Sequence, residues 1–314
     1  MKAYMIIQAG MRTDIPAFYS EWLLNRIKEG YVCVRNPYNS EAITRYNLSP
    51  DVVDLIAFCT KNPIPMLAQL DKIKDYGQFW FVTITPYEKE IEPNVPDKEK
   101  ILESFCVLSE KVGKDSVHWR YDPIFLSKKY TVEYHIEAFE KMASKLAGYT
   151  DTCVISFIDL YEKVKRNFPE VSEVLKEDRI TLGQQFVSIG KKYGIIIKAC
   201  AEGTELDSYG VDCKGCMTVE TYENALHASL IVPKKKSARN ECACFLGSDI
   251  GAYNTCGHLC KYCYANYSAE LVKENMRKHD VNSPLLIGNL REGDVIHSVK
   301  QESWVDHQLK LILE

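Results

Sequence analysis

The chain has 314 residues, of which 46% are hydrophobic and 26% are charged, and its formal net charge is -4. This composition argues against a disordered or fibrous chain, and the slightly acidic balance gives no strong signal for nucleic-acid binding. The sequence contains no run of about 18 apolar residues, which argues against a transmembrane helix. The apolar run before Arg12 is too short for a signal peptide, so we expect a cytoplasmic protein with no membrane partner.

Eight short runs along the chain predict β-strands. Most are continuously apolar, which is typical of a parallel sheet covered by helices. In chain order these runs are Tyr4–Ile7, Tyr31–Val34, Asp54–Phe58, Phe79–Thr85, Val117–Tyr121, Cys153–Phe157, Ile195–Cys200 and Phe245–Ala252.

Helical signals lie between these strands. Pro16 and Pro65 suit the first turns of two helices that end near Lys28 and Lys74, because proline loses no helical hydrogen bond there. Asp97 and Thr131 are suited to cap two further helices, and the segments from Thr181 to Gly194 and from Tyr264 to Lys278 predict two more. Strands and helices that alternate over this length predict an α/β protein with a parallel (β/α)8 TIM-like barrel, or an incomplete relative of one.

We expect one barrel domain over residues 1–281. It includes a cysteine-bearing insertion near residues 201–244 and a loop at residues 253–266, which we call the cysteine loop. Residues 282–314 are expected to form a C-terminal tail.

The twelve cysteines are the most informative residue type. In a reducing compartment, clustered cysteines are more often metal ligands or catalytic groups than disulfides. Five are scattered, mostly in apolar runs where cysteine behaves as a small hydrophobic residue. These are Cys33, Cys59, Cys106, Cys153 and Cys200, whereas the other seven lie between Cys213 and Cys263.

Cys256, Cys260 and Cys263 have the spacing C-x3-C-x2-C and follow the eighth predicted strand. Thiolates so close in sequence converge on a common centre, and the natural occupant is a soft metal or an iron–sulfur cluster. A cubane has four irons, so three protein thiolates leave one iron for a ligand that is not protein. Loops after the carboxyl ends of barrel strands form active sites. The pattern therefore predicts a reaction centre.

A second set of cysteines consists of the pairs Cys213 with Cys216 and Cys242 with Cys244, spaced C-x2-C and C-x-C. Four thiolates suit a tetrahedral zinc ion or an auxiliary iron–sulfur cluster. The alternative is that these are free thiols, or that only one pair is used.

Cys256, Cys260, Tyr262 and Cys263 resemble the C-x3-C-x-aromatic-C signature of radical S-adenosylmethionine enzymes. Taken whole, the chain resembles DUF1848, a bacterial domain-of-unknown-function family that carries such a cluster near its C-terminal end. The stretches that carry this resemblance are Arg12–Tyr19, Val34–Pro37, Thr60–Pro63, Trp119–Pro123, Ser156–Tyr161 and Asp249–Tyr253.

The radical-enzyme resemblance implies a 4Fe-4S cluster on Cys256, Cys260 and Cys263 and S-adenosylmethionine at the open iron. It also implies a 5′-deoxyadenosyl radical that acts on an unidentified substrate, and a reducing electron donor such as flavodoxin or ferredoxin. Tyr262 is expected to pack near the adenine. The protein would orient the cofactor and exclude competing reactants.

The order of the elements departs from the usual pattern, in which the cysteine loop follows the first barrel strand. A circular permutation would explain this, because neighbouring strands of a barrel are preserved when the chain break moves. The N-terminal strand would then correspond to the second strand of the radical enzymes, which usually supplies contacts to methionine. Arg12 and Asp14 follow that strand and are candidate catalytic residues, although the customary Gly-Gly-Glu is absent.

Polar residues after other strands are further candidates. Lys61 and Asn62 are predicted to bind the cofactor, and Arg120 and Asp122 are predicted catalytic residues. A loop salt bridge or a helix cap is an equally good interpretation of each of these residues. His258 is expected to turn the loop backbone or provide nearby polarity and is not a predicted ligand.

Two other functions fit the cysteine pattern. One is a nonenzymatic iron–sulfur electron-transfer protein, indicated by the clustered cysteines alone. The other is a zinc-stabilised barrel hydrolase, indicated by the second cysteine set together with the carboxylates of the loops.

Overall fold

The computed structural model describes residues 5–233, 244–245 and 247–306. The strands within these ranges are β1 (Ile6–Ala9), β2 (Tyr31–Arg35), β3 (Ala42–Asn47), β4 (Leu55–Thr60), β5 (Gly77–Thr83), β6 (Val117–Ile124), β7 (Thr152–Phe157), β8 (Ile196–Ala199), β9 (Ser248–Asp249) and β10 (Val295–Ser298).

The main sheet has seven strands in the order β8-β7-β6-β5-β4-β1-β9. Every pairing in it is parallel. The predicted α/β class and parallel sheet are therefore confirmed. Over the described ranges β8 and β9 are the outer strands, so closure into a TIM-like barrel stays a prediction. Beyond β8, Lys198 forms one parallel bridge to Asp212.

One predicted barrel strand lies elsewhere. The run Tyr31–Val34 forms β2, which pairs antiparallel with β3, and β10 completes this separate sheet by pairing parallel with β3. The apolar residues of Tyr31–Val34 indicated a strand of the parallel sheet. That prediction was wrong, because only residues 36–41 connect β2 to β3. A parallel crossover needs a dozen or more residues, whereas a short connection returns the chain antiparallel.

The last strand of the main sheet in sequence lies beside the first. Ile7 pairs with Ser248 and Gln8 with Asp249, both parallel. A Cβ atom on Gly247 would lie 2.1 Å from the Ile6 carbonyl oxygen, so only glycine permits this close approach. The strand before the cysteine loop therefore lies beside β1, although it is shorter than the predicted run Phe245–Ala252, and a circular permutation stays a prediction.

The helices of the described ranges are α1 (Ile15–Phe18), α2 (Ser20–Glu29), α3 (Ile64–Leu67), α4 (Lys98–Val112), α5 (Val132–Leu146), α6 (Glu162–Asn167), α7 (Lys176–Tyr193), α8 (Val219–Leu226) and α9 (Ala269–Arg277). Asp97 and Thr131 cap α4 and α5 through their side chains, as predicted. In contrast, α7 begins earlier than Thr181 and α9 begins later than Tyr264. None of these described helices is both long and apolar enough to span a membrane.

Aromatic rings fill the interior between the main sheet and its helices. The ring centroids of Phe58 and Trp80 are 3.9 Å apart, and those of Phe139 and Phe186 are 4.0 Å apart. Stacked rings of this kind contribute beyond the area that they bury. The first pair joins β4 to β5 and the second joins α5 to α7, and Trp119 of β6 stacks on Phe139 to connect the sheet with these helices.

The segment after residue 281 also packs against the rest of the chain. Leu285 and Leu286 are buried, and β10 extends the small sheet. The backbone N–H of Trp304 donates to the Asp54 carboxylate at 2.7 Å. Residues that the sequence analysis assigned to a tail thus contribute to the core and to the small sheet.

Candidate functional site

A cavity of about 310 Å³ lies at the carboxyl ends of the main-sheet strands. This volume is within the range of small-molecule sites, about 300–1,000 Å³. The wall includes residues that follow β1, β4, β7 and β8, together with the cysteine loop. Six of its cysteines form two groups at this wall, Cys256, Cys260 and Cys263 in one and Cys200, Cys216 and Cys244 in the other.

The cysteine loop is held in shape by hydrogen bonds at its base and its tip. The side-chain amide of Asn266 donates to the Cys256 carbonyl at 2.9 Å, and that of Asn94 donates to the Gly257 carbonyl at 2.8 Å. Leu259 has a left-handed backbone with φ of 56°, which costs roughly 1–2 kcal/mol for a residue with a Cβ atom. Residues 264–268 connect the last cysteine of the loop to α9. The helix begins at Ala269, and the Ser268 side chain caps its N-terminus.

Burial raises the pKa of all three thiols in the cysteine loop above the usual value. Neighbouring thiols of the group raise the pKa of Cys256 further. Thiolates are the form that binds metal, and metal binding supplies the positive charge that removes these protons. The donor set of three buried thiols therefore fits a soft metal or an iron–sulfur cluster.

The spacing of the sulfur atoms separates the two cysteine groups. Among the described residues, the group whose sulfur atoms all lie within 4.8 Å of one another is Cys200, Cys216 and Cys244, which we call the thiol triad. The sulfur atoms of Cys256, Cys260 and Cys263 do not meet that distance and are spread more widely. Thiolates that bind separate irons of a cluster stand further apart than thiolates that share one ion.

Asp14 joins the cysteine loop to the edge of the main sheet. One carboxylate oxygen accepts from the Ala17 backbone at 3.0 Å and the Thr60 hydroxyl at 2.7 Å. The other accepts from the Lys61 backbone at 2.7 Å and lies 2.9 Å from Nε2 of His258. With four partners, the buried carboxylate positions β4 and the loop. A direct contact of Asp14 with a ligand stays a prediction.

Glu92 is an important residue that sequence reasoning missed. Its carboxylate accepts from Lys61 at 2.8 Å and Thr85 at 2.7 Å, and it also contacts Lys98 and the Tyr262 hydroxyl. Burial on its own would raise the pKa of Glu92, but the two lysines more than offset it and lower the pKa to about 2. A usable signal was present, because the connection between β5 and α4 is long for a compact domain and long loops are often functional.

The network around Glu92 places charge and aromatic surface beside the cysteine loop. Burial would lower the pKa of Lys61, but Glu92 and then Cys260 raise it. The Lys61 ammonium lies 5.4 Å from the centre of the Tyr262 ring. Lys61 and Tyr262 line the cavity, whereas the side chain of Asn62 accepts from the Ile64 backbone at the start of α3. Cofactor binding by these three residues stays a prediction.

The predicted residues of other strand ends also lie at the cavity. Arg12 lies 3.8 Å from Asp249, the last residue of β9. Arg120 donates through Nε to Asp122 at 3.0 Å, and Asp122 also accepts from the Ser156 hydroxyl. This pair lies against the thiol triad, because Nη1 of Arg120 is 4.0 Å from the Cys216 sulfur. Catalytic roles for these residues stay predictions.

The thiol triad differs in membership from the predicted second cysteine set. Cys216 and Cys244 are present, but Cys200 takes the place expected for Cys213, whose sulfur instead lies 3.6 Å from the Val211 carbonyl. Cys242, like the lysine run 234–236, lies outside the described residues. Cys200 sits in an apolar run and was interpreted as a buried hydrophobic residue. Its position at the carboxyl end of a predicted strand was the signal for a functional role.

The sulfur of Cys216 lies 3.3 Å from that of Cys200 and 3.3 Å from that of Cys244. Hydrogen bonding from the other two thiols lowers the pKa of Cys200 well below its usual value. The interaction with Cys200 raises the pKa of Cys216, and it raises that of Cys244 to about 12. The three thiols thus form one hydrogen-bonded group. This arrangement suits a cation that replaces the thiol protons.

Comparison with known proteins bears on the family of the chain. No curated protein matches it. The family DUF1848, described as a domain of unknown function, matches residues 6–265. This range includes the described strands of the main sheet and the cysteine loop up to Ala265. The resemblance seen in the sequence is confirmed at this level, and the chain belongs to the DUF1848 family.

Proposed function

We propose that the protein is a radical S-adenosylmethionine-type iron–sulfur enzyme that acts on an unidentified substrate. The observation that carries this proposal is the location of the C-x3-C-x-Tyr-Cys loop. It lines a cavity at the carboxyl edge of a parallel sheet, and it follows the strand next to β1. When bound, the cluster and S-adenosylmethionine supply the electron and the sulfonium from which a 5′-deoxyadenosyl radical is generated.

Cys256, Cys260 and Cys263 would hold the cluster. Their thiols are buried, and all three line the cavity from one short segment of the chain. Three protein thiolates leave one position for a ligand that is not protein. The cavity provides the space for that ligand.

Asp14 and His258 would keep the loop in the geometry that the cluster requires. His258 belongs to the loop, and its contact with Asp14 ties the loop to the end of β4. The T-shaped contact between the His258 and Phe18 rings, with centroids 4.6 Å apart, supports the same orientation. These are positioning roles, because neither side chain needs to contact substrate.

Lys61 would supply positive charge beside Cys260 while Glu92 fixes its direction. The ammonium is bound by Glu92 at 2.8 Å, and the Tyr262 hydroxyl contacts the same carboxylate. A cation at this position favours the net negative charge of a thiolate-bound cluster. The Tyr262 ring is then held against the cavity wall, where it can pack on a flat group such as adenine.

Arg12 would bind the carboxylate of the methionine moiety. Asp249 holds its guanidinium at the end of β9, and both the loop before α1 and the cysteine loop line the same cavity. A guanidinium binds a carboxylate through two parallel hydrogen bonds. Arg12 follows β1, the strand after which a permuted fold would make that contact.

The test is anaerobic reconstitution with iron and sulfide, followed by a reductive S-adenosylmethionine cleavage assay. We expect a cubane cluster, a change in its electron paramagnetic resonance spectrum on adding S-adenosylmethionine, and formation of 5′-deoxyadenosine. Cys260→Ala should abolish both the cluster signal and the cleavage. Cys106→Ala is the matched control, because Cys106 lies on α4 away from the cavity wall.

A fully reconstituted protein that neither binds nor cleaves S-adenosylmethionine contradicts the proposal. If its cluster spectrum is also insensitive to that molecule, the protein is an electron carrier. Zinc bound without any iron after anaerobic purification supports the hydrolase alternative instead.

A further inference from the structure

We propose that the thiol triad of Cys200, Cys216 and Cys244 binds one zinc ion, and that the fourth coordination position of this ion faces the cavity. The site is separate from the cysteine loop, and its ability to bind zinc does not depend on the proposed radical chemistry. The ion would bind a substrate group with a lone pair, such as a thiol, or a water molecule in its place.

The distances between the sulfur atoms suit one ion. In a tetrahedral zinc site the Zn–S distance is about 2.3 Å, which places two thiolates about 3.8 Å apart. All three sulfur atoms lie within 4.8 Å of one another, and Cys216 is 3.3 Å from each of the other two. Removal of the thiol protons and a small outward movement would give zinc geometry. A cubane, which binds each thiolate through a different iron, needs more space.

Three separate segments of the chain bring the triad together. Cys200 follows β8, Cys216 lies in the turn before α8, and Cys244 lies far along the chain. Backbone contacts fix the last two, because the Met217 N–H lies 3.4 Å from the Cys244 sulfur and the Phe245 N–H donates to the Met217 carbonyl at 2.7 Å. A construction from distant segments, with Cys216 fully buried and Cys244 6% exposed, indicates a formed site.

Arg120 provides the charge balance that a three-thiolate zinc site requires. Three thiolates and Zn²⁺ carry a net charge of about −1. The Arg120 guanidinium lies 4.0 Å from the Cys216 sulfur, and it is held in place by Asp122 at 3.0 Å. Its centre also lies 4.9 Å from that of the Phe81 ring. A fixed cation beside the sulfur atoms therefore favours the deprotonated, metal-bound form.

The open position is argued from the location of the three thiolates of the described residues. Structural zinc sites have four protein ligands, whereas catalytic sites have three and keep one position for water or substrate. The described residues supply three thiolates, and all three line the cavity that contains Cys256, Cys260 and Cys263. A substrate bound to zinc would thus lie in the same cavity as the cysteine loop.

The experiment measures metal content in full-length protein purified anaerobically with a phosphine reductant. We expect about one zinc per chain, both in the wild type and in the triple variant Cys256→Ala/Cys260→Ala/Cys263→Ala. Cys200→Ser and Cys216→Ser should each lose this zinc. Cys213→Ser is the matched control and should keep it, because Cys213 is outside the triad although the spacing C-x2-C includes it.

A measurement on the wild type tests the site without relying on variants that could fail to fold. Co²⁺ added to the zinc-free protein should give the intense absorption of a tetrahedral site with thiolate charge transfer. Added 2-mercaptoethanol should change that spectrum by binding at the open position. An unchanged spectrum, or loss of the metal in Cys242→Ser, means a closed four-ligand site and overturns the open position.

Three results overturn the zinc site itself. They are zinc retained in a folded Cys216→Ser variant, zinc lost equally in Cys213→Ser, and iron with sulfide in place of zinc in the triple variant. Failure of the cleavage assay with a zinc content of one per chain would reject the proposed function and leave this site standing.

Discussion

The two cysteine groups face one cavity, but the chain assembles them in different ways. The cysteine loop takes Cys256, Cys260 and Cys263 from one short segment, which asparagine side chains and Asp14 hold in shape. The thiol triad takes its members from three separate segments, with successive members 16 and 28 positions apart in sequence. The comparison teaches that a local site is preformed by its loop. A site assembled from distant segments depends on the fold and, once metal is bound, stabilises it in return.

The largest expected effect is the contribution of zinc to global stability. An ion that links three distant segments stabilises the native state by about 4 kcal/mol when free zinc exceeds its dissociation constant about a thousandfold. We expect the denaturant midpoint to rise on zinc addition in the wild type and in Cys213→Ser, and to stay unchanged in Cys200→Ser. An equal rise in Cys200→Ser would show that zinc binds elsewhere and would remove the contrast between the two groups.

The next effect concerns Asp14, whose carboxylate connects the cysteine loop to the end of β4. Asp14→Ala leaves the Thr60 hydroxyl, the Lys61 N–H and His258 without their buried acceptor, which we expect to cost about 3 kcal/mol of unfolding free energy. Iron content after reconstitution should fall, whereas zinc content should not. Asp97→Ala, which removes an exposed cap of α4, is the control, with an expected cost of about 1 kcal/mol. Equal losses of unfolding free energy and iron content in both variants would contradict this role of Asp14.

A smaller effect is expected at Arg120, beside the thiol triad. Arg120→Met removes the cation near Cys216, and loss of a group beside metal ligands typically weakens metal affinity about 10–100-fold. Arg120→Lys keeps the charge and should lose less. Competition with a zinc indicator measures both affinities. If iron content in the cysteine loop changes more than zinc affinity, Arg120 belongs to the other group.

The smallest effect is a pH dependence that arises away from both groups. Burial lowers the pKa of His135 to about 4, despite its hydrogen bond to the Phe125 carbonyl. The unfolded chain, in which His135 has its ordinary pKa, therefore binds a proton at this ring more readily than the folded chain does. The stability that the neutral ring contributes is present above about pH 6.5 and is lost towards pH 4, with a slope of at most about 1.4 kcal/mol per pH unit.

Denaturation of the His135→Gln variant at several pH values checks this slope. We expect a flatter curve between pH 4 and pH 6.5 than in the wild type, whatever the absolute stability. His297→Gln, at an exposed position on β10, should leave the curve unchanged. A flattened curve in the His297 variant alone would contradict the assignment.

The sequence predicted those parts of the protein that are local in the chain. The apolar runs placed most strands of the main sheet, and Asp97 and Thr131 identified the starts of α4 and α5. The spacing of Cys256, Cys260 and Cys263 identified the loop at the cavity.

The features that were missed depend on contacts between distant residues. Tyr31–Val34 was assigned to the wrong sheet because the short turn after it was given too little weight. Cys200 was missed because an apolar run describes its neighbours in sequence and not the sulfur atoms of Cys216 and Cys244. Glu92 was missed because its lysine partners come from two separate elements.

The pairing of β9 with β1 also has a consequence for the order in which the protein is made. Translation delivers β1 first and β9 after the other strands of the main sheet, and domains begin to fold while synthesis proceeds. The edge of β1 therefore stays unpaired until β9 has been synthesised. The three thiols of the cysteine loop leave the ribosome after most residues of the cavity wall. If these thiols hold a cluster, as proposed, iron and sulfide would be delivered to a nearly finished fold, and cluster insertion would be a late step in the biogenesis of this protein.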